Sequence, residues 1–261
     1  MTPALEGLTV VVTRPARQAG PFVAMLRDAG ADAILLPAIE IEPIELDAAS
    51  RAALVPDDFD WTVYTSANAV EWSLPQLPRP ARTRVAAIGR ATARALDEQG
   101  IRVDAVPQGA SDSEGLLALG PFADLRGQSI LIVKGAGGRT LLRDELARRG
   151  AELVLCEVYR RRPAAADPAA LEALRSASGR TRLIVAVTSG EVLGALLDAA
   201  PDAHLPRLRD AALLVPGERV AASARNLGWR GPLIVAPSAE DGAMFAALAK
   251  HSGCESDSGG A

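Results

Sequence analysis

Histidine, cysteine and aromatic side chains are scarce in this chain, and each shortage removes a class of function. His204, in the polar connection PDAHLPRL, and His251, near the C-terminus, are the only two histidines. Neither has a partner nearby in sequence for a histidine-based metal site or a catalytic triad. The two cysteines sit apart, Cys156 in the apolar run ELVLCEVY and Cys254 in a polar tail, which gives no disulfide framework and no zinc spacing. Aromatic residues make up 3% against 49% hydrophobic residues overall, so the cores must be built from Ala, Val, Leu and Ile. Basic residues hold no excess: 28 Lys and Arg face 32 Asp and Glu for a net charge of −4, which argues against a nucleic-acid binder. No apolar run approaches the roughly 18 residues that span a bilayer. The opening MTPALEGLTVVVTRP lacks the basic and cleavage regions of a signal peptide, so a cytoplasmic protein without a membrane partner is expected. No G-x-x-x-x-G-K-[ST] loop is present, and KGAGGR at 134–139 has Thr140 where a dinucleotide loop would carry its third glycine.

What the chain does contain is alternation. LTVVVTRP reads as a strand buried on both faces. ARQAGPFVAMLRDAG follows with Phe22, Val23 and Leu26 at helical spacing and Gly30 where a helix ends. Further strands are expected at ADAILLP, WTVYT, RVAAIG, IRVDAVP, SILIVKG, AELVLCEVY, LIVAVTS, ALLVPG and PLIVAP, with helices between them. Such alternation implies βαβ units and parallel sheets. Ten candidate strands fit two sheets of about five better than a single sheet. Residues 251–261 are polar and rich in Gly and Ser, and are expected to form a disordered tail.

The chain also repeats itself. LRDAGADAILLPAIEIEP at 26–43 echoes LARRGAELVLCEVYRRRP at 146–163, pairing Gly30 with Gly150 and Pro43 with Pro163. Arg14 pairs with Lys134, Thr65-Ser66 with Thr188-Ser189, and Gly89 with Gly217. Ordered landmarks with slowly growing offsets are the mark of duplication with loop insertions. Arg14 and Lys134, the two Thr-Ser pairs, and Gly89 and Gly217 fall where a strand passes into a helix, the edge at which open parallel sheets bind ligands. Helix N-termini there offer unpaired N–H groups and a positive dipole end, suited to carboxylates or phosphates. Ser66 and Ser189 also read simply as helix N-caps. YRRRP at 159–163 reads either as an anion clamp or as a solvated basic face, and Tyr159 as a buried structural phenol or a site residue.

VVVTRP, DWTVYTSANAV, AAIGRATARAL, SEGLLAL, LIVKGAGGRTLLRDELARRGAELVLCEVYRR and AVTSG, in that order, resemble the uroporphyrinogen-III synthase family from about residue 8 to 246. The resemblance implies two flavodoxin-like parallel-sheet α/β domains joined by a two-stranded linker, with an inter-domain cleft as active site. The first, discontinuous domain would comprise 1–38 and 164–250, and the second 39–163, with linker strands near 38–43 and 157–163. It further implies an enzyme that uses no cofactor and closes hydroxymethylbilane, a linear tetrapyrrole bearing carboxylates, to uroporphyrinogen III with inversion of ring D and loss of water. The scarcity of His and Cys leaves no metal expected, and with no long amphipathic surplus demanding a partner a monomer is expected. On that reading Thr65, Ser66, Ala67, Asn68, Ser189 and Gly190 bind carboxylates, largely through backbone N–H. Gly89, Thr92, Lys134, Gly135 and Gly138 line the site, Arg14 adds charge, and Tyr159 is the proton donor. One position departs from the family pattern: PGERVA places Val220 opposite Thr92. A non-catalytic two-domain protein binding a small anion or sugar, and a dinucleotide-dependent enzyme, remain alternatives on the sequence alone.

Overall fold

The computed structural model describes residues 4–108, 113–138, 140–177 and 182–258, with the backbone alone over 254–258. From the N-terminus, β1 (Leu8–Val12), α1 (Ala16–Asp28) and β2 (Asp32–Leu35) lead into β3 (Ile39–Pro43). There follow α2 (Ala48–Ala53), β4 (Trp61–Tyr64), α3 (Ala67–Ser73), β5 (Arg84–Ala87), α4 (Arg90–Asp97), α5 (Ser113–Leu117), β6 (Ser129–Gly135), α6 (Leu141–Arg148) and β7 (Glu152–Pro163). The chain continues through α7 (Pro168–Ser176), β8 (Arg182–Ala186), α8 (Gly190–Ala199), α9 (Leu205–Asp210), β9 (Ala212–Pro216), α10 (Glu218–Asn226), β10 (Leu233–Ala236) and α11 (Asp241–Ser258). Contacts divide it into two units, Met1–Glu40 with Arg162–Ala261, and Ile41–Arg161. The passages between units therefore fall at 40/41 and 161/162, against 38/39 and 163/164 from the sequence. β3 and the second half of β7 form the linker. Ile44 N–H donates to Val158 O and Ala164 N–H to Ala38 O, a crossing pattern that makes the two segments antiparallel.

The first unit holds a parallel sheet in the order β10-β9-β8-β1-β2. Alternate side chains of each strand face opposite sides, and both sides are covered. Val11, Val185 and Leu213 pack with Leu174 of α7, Leu193 of α8 and Ala221 of α10. Val10, Ile184 and Leu214 pack with Phe22 of α1 and Met244 of α11. This is why LTVVV is apolar throughout rather than alternating. Full burial of each such side chain is worth about 1.5–3 kcal/mol.

The second unit has the sheet order β3-β7-β6-β4-β5, parallel from β7 to β5. Tyr64, Leu131 and Val133 face α3 and α4, meeting Val70 and Leu96. Val63, Ile130 and Ile132 face α5 and α6, meeting Leu116 and Leu146. The two sheets superpose as patterns: β2-β1-β8-β9-β10 matches β7-β6-β4-β5 followed by a single parallel bridge from Ala86 to Ala105. Gly30 and Gly150, the paired glycines of the sequence repeat, end α1 and α6 at φ 89° and 94°, a conformation open mainly to glycine.

Three sequence expectations are corrected. IRVDAVP forms no strand beyond that one bridge, because the Asp104 carboxylate accepts the Val85 N–H at 2.9 Å in place of a ladder carbonyl. Pro107 then removes the next donor. The connection after Pro201 contains a helix, α9, with Pro206 in its first turn where no amide donor is needed and Leu208 buried in the core. The polar tail does not begin at 251: α11 continues to Ser258, with Ser252 buried and its hydroxyl donating to Leu248 O at 3.1 Å. No helix among the described residues is long and apolar enough to cross a membrane.

Candidate functional site

In the second unit β4 and β6 lie side by side, and the chain runs from β4 to β5 on one side and from β6 to β7 on the other. Ligands of open parallel sheets bind beyond the carboxyl ends of the strands at such a point. A cavity of about 200 Å³ opens there, lined among others by Thr65, Lys134, Gly135, Gly138, Tyr159 and Arg161.

The geometry follows from local sequence. Ser66, extended at φ −169°, starts α3, and its Oγ accepts the Ala69 N–H at 3.0 Å. The same Oγ lies 3.1 Å from the Tyr159 hydroxyl. Tyr159 is 2% exposed, and its hydroxyl also accepts from Arg161 Nη2 at 3.3 Å. Its ring rests against Gly135, where an added Cβ would lie 2.5 Å from Tyr159 Cζ. The register between β6 and β7 slips at this point, from Lys134 opposite Glu157 to Gly135 opposite Tyr159. Gly137 and Gly138 follow at φ 69° and 79°, two consecutive left-handed residues that turn the chain back over the strand end. Lys134 Nζ donates to Gly137 O at 2.7 Å and pairs with Glu157 at 3.6 Å, which fixes the loop and balances the ammonium. Nearby, burial pushes the Cys156 thiol up to about 11, so it behaves as a neutral apolar group.

The equivalent point of the first unit lies between β1 and β8. Ser189, at φ −162°, starts α8 and accepts the Val192 N–H at 3.2 Å, reproducing the Ser66 arrangement. Gly190 is packed against Ser223, 3.4 Å from an added Cβ. Thr13 ties the two strand ends together by donating from Oγ1 to Ala186 O at 2.7 Å. Arg14 is ion-paired with Asp241, donates to Ala239 O at 3.0 Å and covers the Phe22 ring. Its charge is therefore balanced within the unit and anchors the start of α11.

Of the residues singled out from sequence, Thr65, Lys134, Gly135, Gly138 and Tyr159 line one cavity, and Ser66 touches Tyr159. Ala67 and Asn68 open α3, and Gly89 caps α4, outside that lining. Thr92 is 3% exposed and its counterpart Val220 6%, so both side chains lie largely buried. Arg14, Ser189 and Gly190 belong to the other unit. Arg161, Ser113 and Thr140 line the cavity without having been singled out. Arg161 was legible: it stands two residues after Tyr159 in one strand and so shares its face, whereas Arg160 points away to Glu42 at 2.9 Å. Among the described residues no three His, Cys, Asp or Glu side chains cluster as metal ligands would.

A family model described as uroporphyrinogen-III synthase HemD matches residues 20–246. The chain belongs to the uroporphyrinogen-III synthase family. It is 36% identical over 250 residues to the uroporphyrinogen-III synthase of Escherichia coli, covering 92% of this chain and all of that one. The synthase of Salmonella typhimurium is matched at the same identity and coverage. A crystal structure of a mutant uroporphyrinogen III synthase from Thermus thermophilus aligns over 95% of this chain and 99% of its own, with a TM-score of 0.61 and 22% identity, which supports the fold. Within the family frame, two α/β units with parallel sheets joined by a linker are the architecture the sequence led one to expect.

Proposed function

We propose that this member of the family is a uroporphyrinogen-III synthase, a lyase that cyclises hydroxymethylbilane to uroporphyrinogen III with inversion of ring D and release of water. The observation that carries the reading is the cavity at the ends of β4 and β6, where a buried phenol meets a capping serine and a guanidinium. The strand order of the first unit, 2-1-3-4-5 in its own chain order, supports the flavodoxin-like description and with it ligand binding at this edge.

In the proposed reaction Tyr159 gives its proton to the hydroxymethyl oxygen of ring A. The C–O bond breaks, water leaves and the N-protonated azafulvene cation remains, its charge balanced by the phenolate. Ring D attacks through its substituted carbon to give a spiro intermediate, which fragments and recloses at the other ring D carbon. The proton lost from that carbon restores the phenol, so the sum is substrate to macrocycle plus water. No electrons pass to a partner, and the chemistry asks for no redox cofactor. Holding the two chain ends together supplies the main acceleration, for which effective molarity can reach about 7–11 kcal/mol in favourable cases. General acid catalysis adds about 10²–10⁴-fold. The substrate's carboxylates suit the starts of α3 and α8, through the amides of Ser66, Ala67 and Asn68 and of Ser189 and Gly190, and the glycine loop at Gly135 and Gly138.

The test is incubation with hydroxymethylbilane without additives and separation of the isomers. Mainly type III product supports the synthase. Type I alone, at the rate of spontaneous closure, refutes it, and tight binding under those conditions would assign a non-catalytic binder.

A further inference from the structure

The basic run YRRRP carries arginines that the proposed reaction does not use. Arg160 faces outward to Glu42, while Arg161 turns to the same side as Tyr159. Its guanidinium carbon is 5.6 Å from the Tyr159 ring centroid, within cation–π range, and its Nη2 donates to the phenol oxygen at 3.3 Å. The phenol oxygen is also 3.1 Å from Ser66 Oγ, which already accepts the Ala69 N–H. Two hydroxyls in contact can exchange their roles: either Tyr159 donates to Ser66, or Ser66 donates to Tyr159. A guanidinium can only donate. By occupying the phenol oxygen as an acceptor, Arg161 favours the arrangement in which Tyr159 is the donor of the pair and Ser66 the acceptor.

We propose that Arg161 is a positioning residue for Tyr159: it sets the direction of the phenol O–H and stands beside the oxygen on which negative charge is left when that proton departs. This rests on the reading of Tyr159 as the proton donor. When the proton moves to the leaving hydroxyl oxygen, the C–O electron pair goes with that oxygen as water and the phenolate remains against Arg161 until the ring D proton returns. A fixed cation at that point needs no reorganisation during the step.

The experiment compares Arg161→Ala, Arg161→Lys, Tyr159→Phe and the double variant Arg161→Ala/Tyr159→Phe by initial rates of type III formation. Arg161→Ala is expected to lower kcat by roughly 10–100-fold with KM changed less than about threefold, since an interaction realised in the transition state falls on kcat. Arg161→Lys should recover part of the loss. In the Tyr159→Phe background the Arg161→Ala change should cost nothing more, because the group it acts through is gone. Losses that multiply in the double variant, or a loss confined to KM, would overturn the proposal in favour of direct substrate contact. A readout independent of turnover comes from the chain having only two tyrosines. With 13Cζ-labelled tyrosine, Tyr159→Phe identifies its resonance. Arg161→Ala should move that line and leave Tyr64 in place, and an unmoved line overturns the proposal. If the wild type makes no type III isomer, the functional reading fails, while the resonance still decides whether Arg161 orients the phenol.

Discussion

Replacing Gly135 by alanine adds one carbon and tests the centre of the site. The new Cβ would stand 2.5 Å from Tyr159 Cζ, 2.7 Å from Cε2 and 2.8 Å from the hydroxyl oxygen. Ordinary carbon contacts begin near 3.5 Å, so the ring must retreat by about 1 Å. Tyr159 is 2% exposed, and its oxygen is held at 3.1 Å by Ser66 and 3.3 Å by Arg161, so both hydrogen bonds lengthen past usefulness if the ring moves. Overpacking of this kind costs about 1–3 kcal/mol. For a chain of this size each kcal/mol lowers the melting temperature by about 2–4 °C. A 1 Å misplacement of a reacting group costs up to about 100-fold in rate. Gly135→Ala should therefore lose several degrees and one to two decades of kcat. Thermal melting by circular dichroism and the isomer assay check both. A variant with wild-type melting and wild-type kcat would refute the claim that the bare Gly135 Cα is what seats the phenol.

The matching caps make a paired test: Ser66→Ala and Ser189→Ala should each destabilise by about 1 kcal/mol in urea unfolding, while only Ser66→Ala perturbs the tyrosine resonance of residue 159, because only Ser66 reaches the phenol. Two glycines should respond in opposite directions in thermal melts. Gly194, inside α8 with nothing within 4 Å of an added Cβ, should gain about 0.5–1 kcal/mol as alanine, whereas Gly231→Ala sets a Cβ 1.9 Å from Ala211 O and should destabilise by more than about 2 kcal/mol. Arg148 and Arg149 hold the Glu145 carboxyl down at about 2. Its contribution is complete above the ordinary glutamate value and disappears as pH falls towards about 2. The melting difference between wild type and Glu145→Gln should accordingly be present at neutral pH and vanish in strong acid.

Much of this architecture was legible because parallel strands covered on both faces must be apolar throughout, so LTVVV, LIVAV and SILIV declare themselves. The starts of α3 and α8 were legible for a local reason: a serine that caps its own helix needs nothing distant to define it. The failures were non-local. Whether IRVDAVP joins the sheet depends on Asp104 reaching the Val85 amide, a side-chain bond that hydropathy does not register. Arg14 reads as a free cation until Asp241, 227 residues later, is folded against it. Arg161 is a different case: its place on the Tyr159 face follows from strand alternation alone, once residues 152–163 are read as one continuous strand.

The duplication explains why the two halves share caps, and the strands beside those caps explain where they part. Equivalent strands carry equivalent serines, Ser66 at the end of β4 and Ser189 at the end of β8, each accepting the third amide of its helix. The strands beside them differ. Where β6 ends in Lys134 and Gly135 and meets Tyr159 of the next strand, β1 is followed by Thr13 and Arg14, which close on Ala186 and Asp241. The first unit thus turns its strand-end cation into a structural tie. In the second, Lys134 folds onto its own glycine loop, leaving the bare Gly135 surface open for the phenol. The asymmetry lies in one glycine and one tyrosine from neighbouring strands, and β7 can bring its tyrosine there because its register against β6 slips by one residue at that glycine. A repeat that preserved both caps and changed only this pair would keep two matching helix starts while setting a phenol beside only one of them.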